Sequence, residues 1–188
     1  SFDLRLYESS TSITRGPYLQ MTGTNRATVR WRTDIATSTQ LSYGTDPAAL
    51  NLSAVSATPK TEHEVTLTGL TPDTKYYYAA GNSSGPMASG ASYCFYTHPP
   101  VATVKPYRFW VLGDPGSGDA NQRAVRDAFY AFNGTQRLDG VLMLGDNVYE
   151  TGTDLEYQTK MFEIYPTMLR NSTFWPTLGN HDAGSASV

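Results

Sequence analysis

Three short motifs place oxygen donors where apolar runs end. Asp114 stands in Gly113-Asp114-Pro115-Gly116, Asp146 in Gly145-Asp146-Asn147-Val148-Tyr149, and Asn180 in Gly179-Asn180-His181-Asp182. No Lys or Arg lies inside any of the three. Carboxylates, an amide and an imidazole gathered at one edge repel one another unless a multivalent cation sits among them, so the pattern points to a metal centre. The preceding glycine lets the backbone turn sharply and leaves room for an ion. A single Gly-Asp after a strand is most often a turn or a helix cap. Three donors in order, separated by about one strand-helix unit each, are not explained by turns.

The elements that must carry these donors follow from hydrophobic period. Tyr107 to Leu112 and Asp139 to Leu144 are short apolar runs that read as buried strands ending at Gly-Asp. Between them, Ala124, Val125, Ala128, Phe129 and Phe132 share one face of a helix over Asp119 to Phe132, with Asn133-Gly134 as its stop. A second helix is predicted to begin at Thr153, where Thr153-Asp154-Leu155-Glu156 fits a capping box, and to end before Pro166. Thr173 to Leu178 then leads into Gly179-Asn180. Strand, helix, strand, helix, strand with right-handed crossovers predicts an α/β layer that gathers ligands at the carboxyl ends of its strands.

The earlier residues follow a different grammar. From about 15 to 97, short alternating segments are separated by turn residues, as in an antiparallel sandwich. In Thr28 to Arg32, Val29 and Trp31 share a face directed at a core; Thr39 to Tyr43 repeats the alternation, as do Val65 and Leu67. Pro72-Asp73 supplies a turn before Tyr76-Tyr77-Tyr78, whose rings can bury while a hydroxyl reaches back to the backbone. These aromatics read as core, not as a ligand box. The run from His98-Pro99-Pro100 to Lys105-Pro106 is a stiff connector. The expected division is an N-terminal extension over 1–14, a sandwich over 15–98, a linker over 99–106 and the α/β segment over 107–188.

Composition bounds the compartment and the partners. A chain of 188 residues is one large domain or two small ones. Fourteen Lys and Arg against seventeen Asp and Glu give a net charge of -3, so no basic stripe exists for binding nucleic acid through counterion release. No run approaches the roughly 18 apolar residues of a membrane span. Charged residues are only 16%, and four sequons begin at Asn51, Asn82, Asn133 and Asn171, where about two would arise by chance. Together these lead to the expectation of a secreted, extracellular glycoprotein. The one cysteine, Cys94, excludes an internal disulfide and is expected to be buried in its Tyr/Phe-rich strand.

The Trp31 strand and the Leu70 to Tyr78 corner resemble fibronectin type III domains over roughly 80 residues. The Asp114, Asp146 and Asn180 motifs resemble the calcineurin-like metallophosphoesterases, and within them the purple acid phosphatases. That resemblance implies that Asp114 binds one metal, Asp146 bridges two and Asn180 binds the other. Tyr149 discriminates between branches. Most of the superfamily has a histidine two residues after the first aspartate and no metal-binding tyrosine, whereas this chain has Gly116 and Tyr149, as the purple branch does. A phenolate favours ferric iron, so the implied cofactors are Fe(III) plus a divalent Fe, Zn or Mn ion. Gly145 to Gly152 is similar to the small mammalian-type and bacterial members, while a fibronectin-like domain is usual in the larger plant-type ones.

The implied function is a secreted acid phosphatase that hydrolyses phosphate monoesters at a dinuclear centre. In that reading His181 binds the substrate phosphate or protonates the leaving alkoxide, and Asp182 supports the site by orienting His181. The family completes its site with further histidines from a later part of the domain. Here only His63, His98 and His181 exist, and the first two take surface or core roles. A C-terminal remainder or companion chain is therefore expected to supply the missing ligands. Trp110, Leu142, Leu144 and Phe174, expected to face missing layers, would dock that partner or a second copy. Two other readings stand beside this one: an extracellular self-assembling protein that reuses the fold, and a Mn/Zn phosphodiesterase of the calcineurin-like type.

Overall fold

The computed structural model describes residues 11–185, so most of the expected 1–14 extension, and Ala186 to Val188 of the tail, lie outside the described residues. The first half is a β-sandwich of β1 (Ile13–Gln20), β2 (Ala27–Gly44), β3 (Leu52–Leu67), β4 (Lys75–Asn82), β5 (Gly85–Ala88) and β6 (Cys94–Tyr96). All of its pairings are antiparallel. The short segments expected from the alternation merge into two long strands. β2 and β3 stay paired through register shifts after Arg32, so that β2 lies between β1 and β3 before the shift and between β4 and β3 after it. Val29 and Trp31 are buried as their alternation requires, and Leu19, Leu41, Leu67, Tyr78 and Phe95 close the core around them.

Two polar groups inside this sandwich are fully accounted for. His63 stacks on Trp31 at 4.8 Å, with Thr33 Oγ1 3.0 Å from Nε2 and Thr39 Oγ1 2.8 Å from Nδ1. Burial holds its pKa below the usual imidazole value, which suits a core histidine and not a ligand. Tyr76 accepts a hydrogen bond from Thr71 N at 3.0 Å, the backbone return expected of the Tyr run.

The second half holds a parallel sheet, β7 (Phe109–Leu112), β8 (Gly140–Met143) and β9 (Phe174–Pro176), in that order. The intervening helices are α1 (Ala120–Asn133), α2 (Asp154–Tyr157), which continues as a π-helical stretch (Gln158–Phe162), and α3 (Pro166–Leu169). Thr153 caps α2 and Glu156 closes the capping box, as predicted. Trp110, Leu112, Val141, Met143 and Phe174 bury one face of the sheet with Met161, Ile164 and Tyr165. Trp110 and Phe174 thus do not face an uncovered layer: Phe129 stacks on Trp110 at 4.1 Å, and Tyr165 covers Phe174. The other face carries exposed Phe109 and Val111, and Leu144 is exposed there as expected, while Leu142 is half-buried.

Helix α1 corrects a second expectation. Of its predicted apolar face only Phe129 turns inward; Val125 is 56% and Phe132 75% exposed. The inward side carries Gln122 and Asn133, both buried. The reason is polar: Gln122 Nε2 donates to Lys160 O at 2.8 Å and Arg126 Nη1 to Ile164 O at 2.7 Å, supplying donors to carbonyls of the irregular helix opposite. No helix among the described residues is long and apolar enough to cross a membrane.

The two halves are joined by charge. Arg15, 8% exposed, donates to Gln158 Oε1 at 2.7 Å, Asp154 Oδ1 at 2.8 Å and Asp154 O at 3.0 Å, with its guanidinium 4.5 Å from the Phe162 centroid. Arg32 reaches the same Asp154 at 2.8 Å. On the other flank, Asn171 Nδ2 donates to Ser92 O, Cys94 O and the Cys94 Sγ; that thiol, expected to be buried, is only half-buried at this seam, and burial raises its pKa. Within the connector, Lys105 pairs with Asp73 at 2.7 Å.

Two measurements check this account. Tyr76→Phe leaves Thr71 N without its acceptor and is expected to lower unfolding free energy by about 1 kcal/mol in denaturant titration; an unchanged midpoint would contradict the corner's role. Hydrogen bonds from Arg32 and Arg15 hold the Asp154 carboxyl down at about 2. Its contribution is therefore complete above the ordinary carboxylate range and is lost as pH falls towards the folded value. Wild type should lose stability faster than Asp154→Asn between about pH 4 and about pH 2, and parallel curves would count against the joint.

Candidate metal centre

The ends of the parallel strands are shaped by backbone before side chains enter. Asp114 and Asp146 both adopt left-handed φ, 52° and 47°, a costly region for residues other than glycine. Asp114 N donates to Gly145 O at 3.3 Å, tying the two strand ends together, and Tyr149 N donates to Gly116 O at 3.0 Å. A Cβ on Gly116 would overlap the Asn147–Val148 backbone, so the absence of a side chain there lets the second loop close over the first. A Cβ on Gly179 would overlap Asp146 itself, which brings the third loop onto the second.

This packing converges the expected residues. The Tyr149 hydroxyl lies 3.1 Å from Asp114 Oδ1 and 3.2 Å from Asp146 Oδ2. His181 N donates to Asp146 Oδ1 at 3.1 Å, so both oxygens of Asp146 are engaged from different loops. The His181 ring sits 4.6 Å from the Tyr149 ring, and its Nδ1 donates to Glu150 O at 2.7 Å, leaving Nε2 for another partner. Asn180 lies on the adjoining loop with an exposed side chain that makes no hydrogen bond among the described residues. It shares the edge without a hydrogen bond to either carboxylate among the described residues.

Asp182 does not orient His181. It is buried and accepts from Asn147 N at 3.0 Å, Asn147 Nδ2 at 2.7 Å, Gly179 N at 2.9 Å, Val148 N at 3.2 Å and Tyr157 OH at 3.1 Å. Burial alone would raise its pKa, but these donors hold the carboxyl below the usual range. Asp182 thus sews the loop after β8 to the loop after β9, and the Glu150 carbonyl is what orients His181. Asn147, which also donates to Thr177 O at 2.8 Å, went unnoticed in the sequence because an Asn after Asp reads as a turn. Tyr157 carried no local signal at all.

The electrostatics of the centre are unbalanced. One hydroxyl proton cannot serve two carboxylates at once, and among the described residues no Lys or Arg is paired with Asp114 or Asp146. Burial, and then the hydrogen bonds to Asp114 and Asp146, push Tyr149 up to about 12. Hard oxygen donors facing one another without a counter-charge fit a multivalent cation, in whose field the phenol would ionise. Among the described residues no three His, Cys, Asp or Glu side chains form a cluster, so the donors in hand are two carboxylates, a phenol and a nearby amide.

The sequons differ in access. Asn51 is exposed, whereas Asn82 and Asn133 are buried, and the Nδ2 atoms of Asn133 and Asn171 are committed to backbone carbonyls.

Two family models match the chain in succession. The one described as purple acid phosphatase, N-terminal domain, matches residues 14–97, and that for calcineurin-like phosphoesterases matches residues 107–187. No match is found among curated proteins. Among solved structures, purple acid phosphatase PPD1 from yellow lupin (Lupinus luteus) seeds is similar at 15% identity and a TM-score of 0.68, over 89% of this chain and 36% of that one. A structure of PhoD is similar at 15% identity and a TM-score of 0.64, over 94% of this chain and 40% of that one. The chain thus spans well under half the length of either, and at such identity the likeness is one of fold.

Asp182→Asn turns an NH2 donor towards N–H and O–H donors that then lack an acceptor, and is expected to cost about 1 to 3 kcal/mol. Hydrogen exchange at Asn147 and Gly179 should accelerate together, and exchange confined to one loop would contradict the stitch between them.

Proposed function

We propose that this chain, whose residues 14–97 match the purple acid phosphatase N-terminal domain model and whose residues 107–187 match that of calcineurin-like phosphoesterases, is part of a secreted, metal-dependent acid phosphatase that hydrolyses phosphate monoesters. The observation that carries the reading is the Tyr149 hydroxyl set between Asp114 and Asp146, with no Lys or Arg paired with either carboxylate among the described residues. A scaffold has no use for a phenol at that spacing, which argues against a purely structural role.

In this reading Asp114, Tyr149 and Asp146 would hold Fe(III), and Asn180 and Asp146 would hold a divalent Fe, Zn or Mn ion. Histidines from a C-terminal continuation or a companion chain would complete the set. When bound, the metal pair supplies Lewis acidity at the phosphoryl oxygens and a nucleophile drawn from water. The chain's own contributions are position and proton. Gly116 and Gly179 allow the loops to close, and Glu150 O holds His181 Nδ1–H, which leaves Nε2 as the ring nitrogen that faces a leaving alkoxide or a phosphate oxygen. Among the sequons, exposed Asn51 is the best placed for a glycan.

The test is a pair of variants of the full-length protein. Tyr149→Phe removes the phenolate oxygen and little volume, so the visible colour of the iron form should vanish while the fold is kept. Asp146→Asn should cost more activity than Tyr149→Phe, and more than the roughly 10- to 100-fold typical of lost supporting hydrogen bonds at metal sites. Colour that survives Tyr149→Phe would remove the phenolate from the metal, and a colourless, active wild type would favour the Mn/Zn phosphodiesterase reading.

A further inference from the structure

Lys160 lies in the π-helical stretch and is bonded to neither carboxylate, yet it touches both loops that carry them. Its ammonium donates to Tyr149 O and lies 3.3 Å from Glu156 Oε1. Glu156 in turn accepts from the backbone of Glu150, from Thr151 N at 3.2 Å and from Thr153 N at 3.0 Å. The residue whose phenol faces the carboxylates and the residue whose carbonyl holds His181 are therefore both gripped through their peptide groups.

The same lysine reaches the first loop. Its stem lies against Gly118, where a Cβ would come within 2.7 Å of Lys160 Cγ. Its carbonyl accepts from Gln122 Nε2 at 2.8 Å, and Gln122 Oε1 accepts from Gly118 N at 2.6 Å. Gln122 is buried and Lys160 only 24% exposed, so these contacts are held inside the fold and differ from an exposed i,i+4 pair, which contributes little. The helix bearing Lys160 is anchored in its turn by Arg15 through Asp154 and Gln158.

We propose that Lys160 is a positioning residue that sets the distance between the Tyr149 phenol and the Asp114 carboxylate, by pinning the loop after β8 to the loop after β7 from beneath. This rests on the reading of Tyr149 as a metal-binding phenol. Supporting hydrogen bonds of this kind orient ligands and are worth about 10- to 100-fold in metal affinity or activity.

The experiment compares Lys160→Met, which keeps the stem and removes the donor, with Lys160→Arg, which restores a donor, and with Tyr149→Phe, all in the full-length protein. Lys160→Met should accelerate amide exchange across residues 148–152 and lower kcat by about 10-fold with KM little changed. It should also shift or weaken the visible iron band, and Lys160→Arg should recover most of each loss. Wild-type exchange and kcat in Lys160→Met would overturn the proposal, as would faster exchange with unchanged kcat, which marks a merely structural contact. A wild type with no band would instead overturn the iron–phenolate reading, and the exchange rates and the split between kcat and KM would still judge Lys160.

Discussion

One phenolic proton stands between two carboxylates. The Tyr149 hydroxyl is within hydrogen-bond range of Asp114 and of Asp146, and it can satisfy only one of them at a time. The second contact sets one oxygen acceptor against another in a partly enclosed place, an arrangement that costs free energy until a positive charge enters. Much of the α/β segment reads as the means of keeping that arrangement in being. Its loops carry left-handed aspartates, and its glycines are placed where another loop's backbone or carboxylate would collide with a side chain.

The supporting structure has a consistent logic. Each loop is held by groups that do not themselves face the centre. Asp182 collects donors from the second and third loops, Glu156 collects backbone N–H groups of the turn after Tyr149, and Gln122 holds Gly118 of the first. These tethers run back to one helix, and that helix is fixed to the sandwich by Arg15 and Arg32. The sandwich thus contributes to the centre without touching it, by clamping the helix from which the loops hang.

How much of this was legible in the sequence depended on the range of the interactions. The Gly-Asp strand ends, the Thr153 capping box and the Tyr76 corner are local devices whose partners lie within a few residues, and each reads directly from its motif. Convergence of Asp114, Asp146 and Tyr149 was also readable, because parallel strands align their carboxyl ends. Long-range polar demands were not. Helix α1 turns Gln122 and Arg126 inward to meet carbonyls 38 residues away, against its own hydrophobic period. Asp182 sits beside His181 in sequence but is claimed by donors 34 and 35 residues away. The register shift at which β2 exchanges β1 for β4 falls in Thr33 to Thr37, which has no Gly or Pro to announce it.

The account stands on a cation lying among Asp114, Asp146 and Tyr149. The most direct measurement is a crystal structure of the full-length protein loaded with iron, with anomalous data collected on both sides of the iron absorption edge. An anomalous peak in contact with the Tyr149 oxygen and both aspartates is the predicted result. No peak there, with the phenol still hydrogen-bonded to the carboxylates, would contradict it.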